Sequence, residues 1–70
     1  MENENNLKRY RKEKGLTQTE MARAAEISER HYQELEYGKN IPNVYAAILM
    51  ADKLNVIDLR NLFPKQAKVK

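Results

Sequence analysis

An all-α domain, a compact bundle of four to five short helices, is predicted for this 70-residue sequence from three observations. Apolar residues recur at intervals of three and four, without the strict alternation of a half-buried strand. Helix-capping residues, Thr17, Ser28, Asn43 and Asp58, stand immediately before periodic segments. Gly15, Gly38 and Pro64 then punctuate the ends of such segments. The length allows one domain, close to the lower limit at which a helical core is stable alone.

Asn5 or Asn6 caps the first helix, which ends at Gly15 and turns Leu7 and Tyr10 to the core. Lys8, Arg9, Arg11, Lys12 and Lys14 gather on it, opposed only by Glu13. Such a run serves as a solubilising face or as a set of phosphate contacts, and both readings stand. Thr17 and Glu20 have the spacing of a capping box, so a second helix starts near Gln18, with Met21, Ala22 and Ala25 on its apolar face. Ser28 caps a third helix from about Glu29 to Tyr37, with Tyr32, Leu35 and Glu36 inward and Gly38 as its left-handed stop. Its other face carries Glu29, Arg30, Gln33 and Glu34, with His31 and Tyr37 at the margins.

Pro42 blocks continuation through the next loop, and Asn43 caps a fourth helix over about 44–54. Val44, Ala47, Ile48, Ala51 and Leu54 are its expected core stripe, with Met50 and Ile57 filling gaps. Asp58 caps a short fifth helix running to Phe63 and stopped by Pro64. Leu59, Leu62 and Phe63 on it either form a two-fold dimer interface or close the core. The ends, residues 1–4 and 65–70, are expected to be frayed and mobile.

Composition narrows the function. Without Cys there is neither disulfide nor thiolate metal site, which fits a reducing cytosol. One His leaves too few donors for zinc. No apolar run approaches membrane-span length, and the acidic, polar start lacks the pattern of a signal peptide. A soluble, cytoplasmic protein without cofactor or metal is expected. Catalysis has no support: there is no phosphate-cradling Gly loop, ligand cluster or activated nucleophile. The net charge of +3 suits a nucleic-acid partner without requiring one.

Several residues, in order and at matching spacing, resemble the helix-turn-helix domain of phage repressors, Cro proteins and many bacterial regulators, the xenobiotic-response-element type. They are Leu7, Arg11, the run Lys14-Gly15-Leu16-Thr17-Gln18, Met21-Ala22, Ala25, Ile27-Ser28, Leu35-Glu36, Gly38-Lys39, Pro42, Ala51, Leu54 and Val56. The resemblance covers residues 7–63 of a single domain, with the motif at about 18–37, and implies a lambda-repressor-like bundle. It implies that Glu29, Arg30, Gln33 and Glu34 face DNA bases, and that Gln18, Thr19, His31, Tyr37, Lys39 and Asn40 contact the backbone. It also implies that Arg11 pairs with Glu36 to tie the first helix to the third.

The expected function is a sequence-specific DNA-binding regulator, a homodimer on a palindromic site. The alternative is a protein-interaction module that uses the Glu-rich third helix to bind a basic partner. A carboxylate's one good base partner is the cytosine amino group, so Glu29 and Glu34 either read cytosine or serve the helix itself. In the second case Glu29 favours the helix dipole and Glu34, four residues after Arg30, orients that guanidinium. Two departures from the family pattern stand out. Glu26 occupies a turn position where Gly is common, and the segment 55–61 is one residue longer than usual.

Overall fold

A computed structural model describes residues 5–64. Five helices are present among them: α1 (Leu7–Glu13), α2 (Gln18–Ala25), α3 (Glu29–Glu36), α4 (Val44–Leu54) and α5 (Leu59–Leu62). No strand occurs among the described residues. The ends expected to be frayed and mobile, 1–4 and 65–70, lie outside them.

Local chemistry starts each helix. Thr17 Oγ1 accepts the Glu20 N–H at 3.0 Å, while Glu20 Oε1 accepts the Thr17 N–H at 2.8 Å, a complete capping box. That backbone donor is the main reason the Glu20 carboxyl titrates below its ordinary range. Ser28 Oγ accepts from the His31 N–H at 3.0 Å and Asn43 Oδ1 from the Ala46 N–H at 2.7 Å. Asp58 Oδ1 accepts from the Arg60 N–H at 2.9 Å.

At α1 both asparagines act, in different ways. Asn6 occupies the cap position without a side-chain cap bond, and Asn5 Oδ1 takes the Leu7 N–H at 3.0 Å instead. Asn5 Nδ2 donates to the Leu35 carbonyl at 2.7 Å, and Asn6 Nδ2 to the Asn61 carbonyl at 2.7 Å. The Asn6 N–H adds a bond to the Leu62 carbonyl at 2.9 Å. The start of α1 is thereby fixed to the end of α3 and to α5.

The core lies around α2, which packs against both α3 and α4, while α5 packs on α4. Leu7, Met21, Tyr32, Leu35, Met50, Leu54 and Leu62 are fully buried at its centre, with Ala22, Ala25, Ala46, Ala47 and Ala51 where helices approach. Small side chains there let the short helices come close enough to exclude water.

Two expectations are corrected. Val44 and Ile48 are 72% and 46% exposed, and Ala46 and Met50 take their places in the core. Residues 44–51 of α4 are all apolar, so helical periodicity cannot fix which side faces inward. Ile57, expected to fill a core gap, is 100% exposed. Of the two readings of α5, closing the core describes Leu62 and Phe63, which are buried, while Leu59 is half-buried and borders a surface groove.

The turn between α2 and α3 passes through Glu26 at φ 60°, ψ 40°, a left-handed conformation held by N–H bonds back to the last turn of α2. Gly38 makes the corresponding turn after α3 at φ 80°. These two turns set the direction in which α3 enters and leaves, and hence which of its faces is outward.

Candidate nucleic-acid interface

Burial of Tyr32 and Leu35 fixes the rotation of α3. With that side inward, Glu29 and Arg30 are exposed, and His31, Gln33 and Glu34 are half-buried along the outward face. Tyr37, Lys39 and Asn40 continue it, exposed, beyond the helix end. Thr19 is exposed and Gln18 half-buried at the start of α2. The sequence-derived contact residues thus fall on α3, the loop after it and the first turn of α2.

Beneath this surface sits a polar knot centred on Glu36, whose side chain is 1% exposed. Its Oε2 accepts from Arg11 Nε at 2.6 Å and from the Tyr32 hydroxyl at 2.6 Å. Its Oε1 accepts from Gln18 Nε2 at 3.1 Å and, at 3.4 Å, from Arg11 Nη2. Arg11 also donates through Nη1 to the Leu16 carbonyl at 2.9 Å. Burial pushes the Glu36 carboxyl up, but the hydrogen bonds from Arg11, Tyr32 and Gln18 outweigh it and hold it below the ordinary range. Burial, then the bond to Glu36, keeps the Tyr32 phenol well above its usual value, so it remains a donor.

The knot reaches the surface through Gln18. Its Oε1 accepts from Gln33 Nε2 at 3.3 Å while its Nε2 is bonded to Glu36. A continuous chain therefore runs from Arg11 through Glu36 and Gln18 to Gln33, joining α1, the start of α2 and the outward face of α3. Sequence spacing could not reveal it, because the Gln18–Gln33 contact depends on how α2 and α3 cross. The Tyr32 hydroxyl was missed for another reason: helical periodicity marks its ring as core and says nothing of its oxygen.

A second polar group lies at the far end of α3. Glu34 Oε1 accepts from Asn40 Nδ2 at 2.7 Å, and Glu34 Oε2 lies 3.7 Å from Arg30 Nε. The Lys39 N–H donates to the Glu34 carbonyl at 2.9 Å. The Arg30 side chain is 88% exposed, standing out from this carboxylate into solvent.

Two short helices, a left-handed turn between them and a polar outer face on the second are the features of one family, and residues 7–62 match the helix-turn-helix family model. The chain belongs to the Cro/phage-repressor-type helix-turn-helix family. Over 48 residues this helix-turn-helix chain is 42% identical to a Bacillus subtilis (strain 168) protein described as an uncharacterized HTH-type transcriptional regulator, YqaF. That match covers 69% of the chain and 63% of the relative's length. Within the family frame, α2 and α3 are the motif and α1, α4 and α5 are its support. Among the described residues no helix is long and apolar enough to cross a membrane.

Proposed function

We propose that the chain is a sequence-specific, double-stranded-DNA-binding transcriptional regulator, a repressor acting in the cytoplasm as a homodimer on a palindromic operator. In such a mode α3 lies in the major groove and the start of α2 meets the backbone. The observation that supports this reading is the 3.3 Å bond between Gln33 and Gln18, which joins the outward face of α3 to the start of α2 in one surface.

Arg30 is the principal reader: a guanidinium that reaches guanine O6 and N7 supplies roughly 1–3 kcal/mol of discrimination. Gln33 stands beside it with its amide held by Gln18. Glu29, on the first turn, accepts from a cytosine amino group. Glu34, bonded to Asn40 and facing Arg30, positions both. Gln18, Thr19, His31, Tyr37, Lys39 and Asn40 contact phosphates, where they fix orientation without reading sequence.

Selection of bound molecules from random duplexes at about 0.15 M salt tests this. A palindromic motif with half-sites about 34 Å apart supports it. An unenriched pool favours the second reading, for which the pair of carboxylates, Glu29 and Glu34, on the outer face of α3 argues: a surface for a basic protein partner.

A further inference from the structure

Besides the buried Glu36, the α2–α3 motif carries Glu20, Glu26, Glu29 and Glu34. Glu20 closes the capping box on the Thr17 N–H at 2.8 Å. Glu34 accepts from Asn40 at 2.7 Å and faces Arg30 at 3.7 Å. Glu26 sits in the turn between the helices, off the face of α3. Glu29 differs from all of these. It is exposed on the first turn of the outward face and makes neither a hydrogen bond nor an ion pair with another described residue. Nor does the helix start need it, since Ser28 Oγ already takes the His31 N–H at 3.0 Å. An ionised carboxylate only accepts, so beside a polyanion it is repelled unless a base supplies a donor.

The chemistry of the major groove narrows that donor. Guanine presents N7 and O6 and thymine presents O4, all acceptors, which turn a carboxylate away. Adenine presents an N6–H beside N7, whose lone pair meets the carboxylate's second oxygen. Cytosine presents an N4–H with only a C–H next to it, and so offers a donor without an acceptor on the same base. One hydrogen of that amino group is used in the pair with guanine, which leaves a single hydrogen in the groove. A methyl group on N4 keeps the pairing hydrogen and replaces the one in the groove.

We infer that Glu29 makes binding by this chain sensitive to chemical modification of the DNA. Its carboxylate accepts the groove hydrogen of an unmodified cytosine N4, and methylation of that nitrogen leaves the carboxylate unpaired against a methyl group. An acceptor desolvated without a partner costs more than a contact merely missing, so the methylated site is rejected rather than ignored. The inference rests on the proposed DNA reading and deepens it, by naming a state of the DNA that releases the chain. Arg30, which takes guanine O6 and N7, does not confer this sensitivity, because neither atom bears the methyl group.

The test has two stages. Selection from random duplexes is run with the parent chain and with Glu29→Ala, and the selected half-site is then synthesised with N4-methylcytosine at each cytosine in turn for fluorescence anisotropy. The expected result is a cytosine position present for the parent and lost in Glu29→Ala. Methylation there should weaken the parent by about tenfold or more and leave Glu29→Ala within about twofold. Glu29 is exposed and outside the core, so the variant should keep the parent's melting temperature to within a few degrees. A selected site with no cytosine position that depends on Glu29 overturns the inference and leaves this carboxylate to the helix dipole. Equal affinity of the parent for methylated and unmethylated duplexes overturns it too. An unenriched parent pool removes the DNA reading itself and the inference with it, an outcome distinct from the loss of one position within an enriched site.

Discussion

Arg11 Nε donates to Glu36 Oε2 at 2.6 Å, joining α1 to the last residue of α3 across an interface where Arg11 and Glu36 keep only 11% and 1% of their side chains exposed. Two charges taken out of water cost energy unless their remaining donors and acceptors are matched. Here they are: Tyr32, Gln18 and the Leu16 carbonyl complete the set. Glu36→Ala leaves Arg11 uncompensated and should cost about 3–5 kcal/mol. A domain of this length has only about 4–10 kcal/mol in total, so urea denaturation should find the variant unfolded or nearly so.

Tyr32→Phe separates the hydroxyl from the ring. The ring's burial is retained and one charge-assisted hydrogen bond is lost, an expected loss of about 1.5–3 kcal/mol by the same denaturation. A cost below about 0.5 kcal/mol would mean that the hydroxyl contributes nothing to holding Glu36.

Acid should destabilise the fold in a defined window. Although burial acts in the opposite direction, the hydrogen bonds to Glu36 leave its folded-state carboxyl below the ordinary 4.5. The unfolded chain therefore takes up the proton first. The stabilisation is complete above about pH 5.5 and is lost as pH falls through 4.5 and then through the lower folded value. Melting temperature measured from pH 7 to pH 3 should fall over that window, and the fall should be shallower in Glu36→Gln.

The turn at Glu26 carries removable strain. A side chain at φ 60° pays about 1 kcal/mol that glycine does not. Glu26→Gly should raise the melting temperature by about 4–8 °C. Asn55→Gly, at φ 61°, should change it little, because asparagine tolerates this conformation.

For duplex binding, Arg30→Ala should relax base preference at one position by roughly 1–3 kcal/mol, while Lys39→Ala should weaken all sequences alike and lower the salt slope by about 1. Glu34→Gln, which keeps an oxygen for Asn40 but removes the charge facing Arg30, should leave the preferred sequence in place and tighten binding overall. Fluorescence anisotropy on a panel of single-base variants distinguishes these outcomes; a changed preference in Glu34→Gln would make Glu34 a reader.

Much of this architecture was legible in the sequence because helix starts and stops are local chemistry. Thr17 with Glu20, Ser28, Asn43 and Asp58 act as caps at the expected places, and Gly38 turns left-handed. What escaped was orientation. In α4 the apolar run erased the contrast that tells inside from outside, so Val44 and Ile48 were assigned to a core that holds Ala46 and Met50. Just before α5 and at its end, Ile57 and Leu62 are equally apolar, and only the path of the chain decides that one is in water and the other enclosed. The outward row of α3 was legible from its polar residues; the bonds from Gln33 to Gln18 and from Asn40 to Glu34 were not, since each joins residues brought together by a turn.

The bonds from Asn6 to Asn61 and Leu62 join residues 55 and 56 positions apart. A four-residue helix such as α5 has no stability of its own, because its first turn is the unfavourable nucleus of a helix. It stands because it packs on α4 and because Asn6 bonds to its last two residues. The fold is in this sense a clasp that closes residues far apart in the sequence on one another. Trimming the chain through Asn6 would be felt first at Leu62 and Phe63, where the core would open to water from the far end.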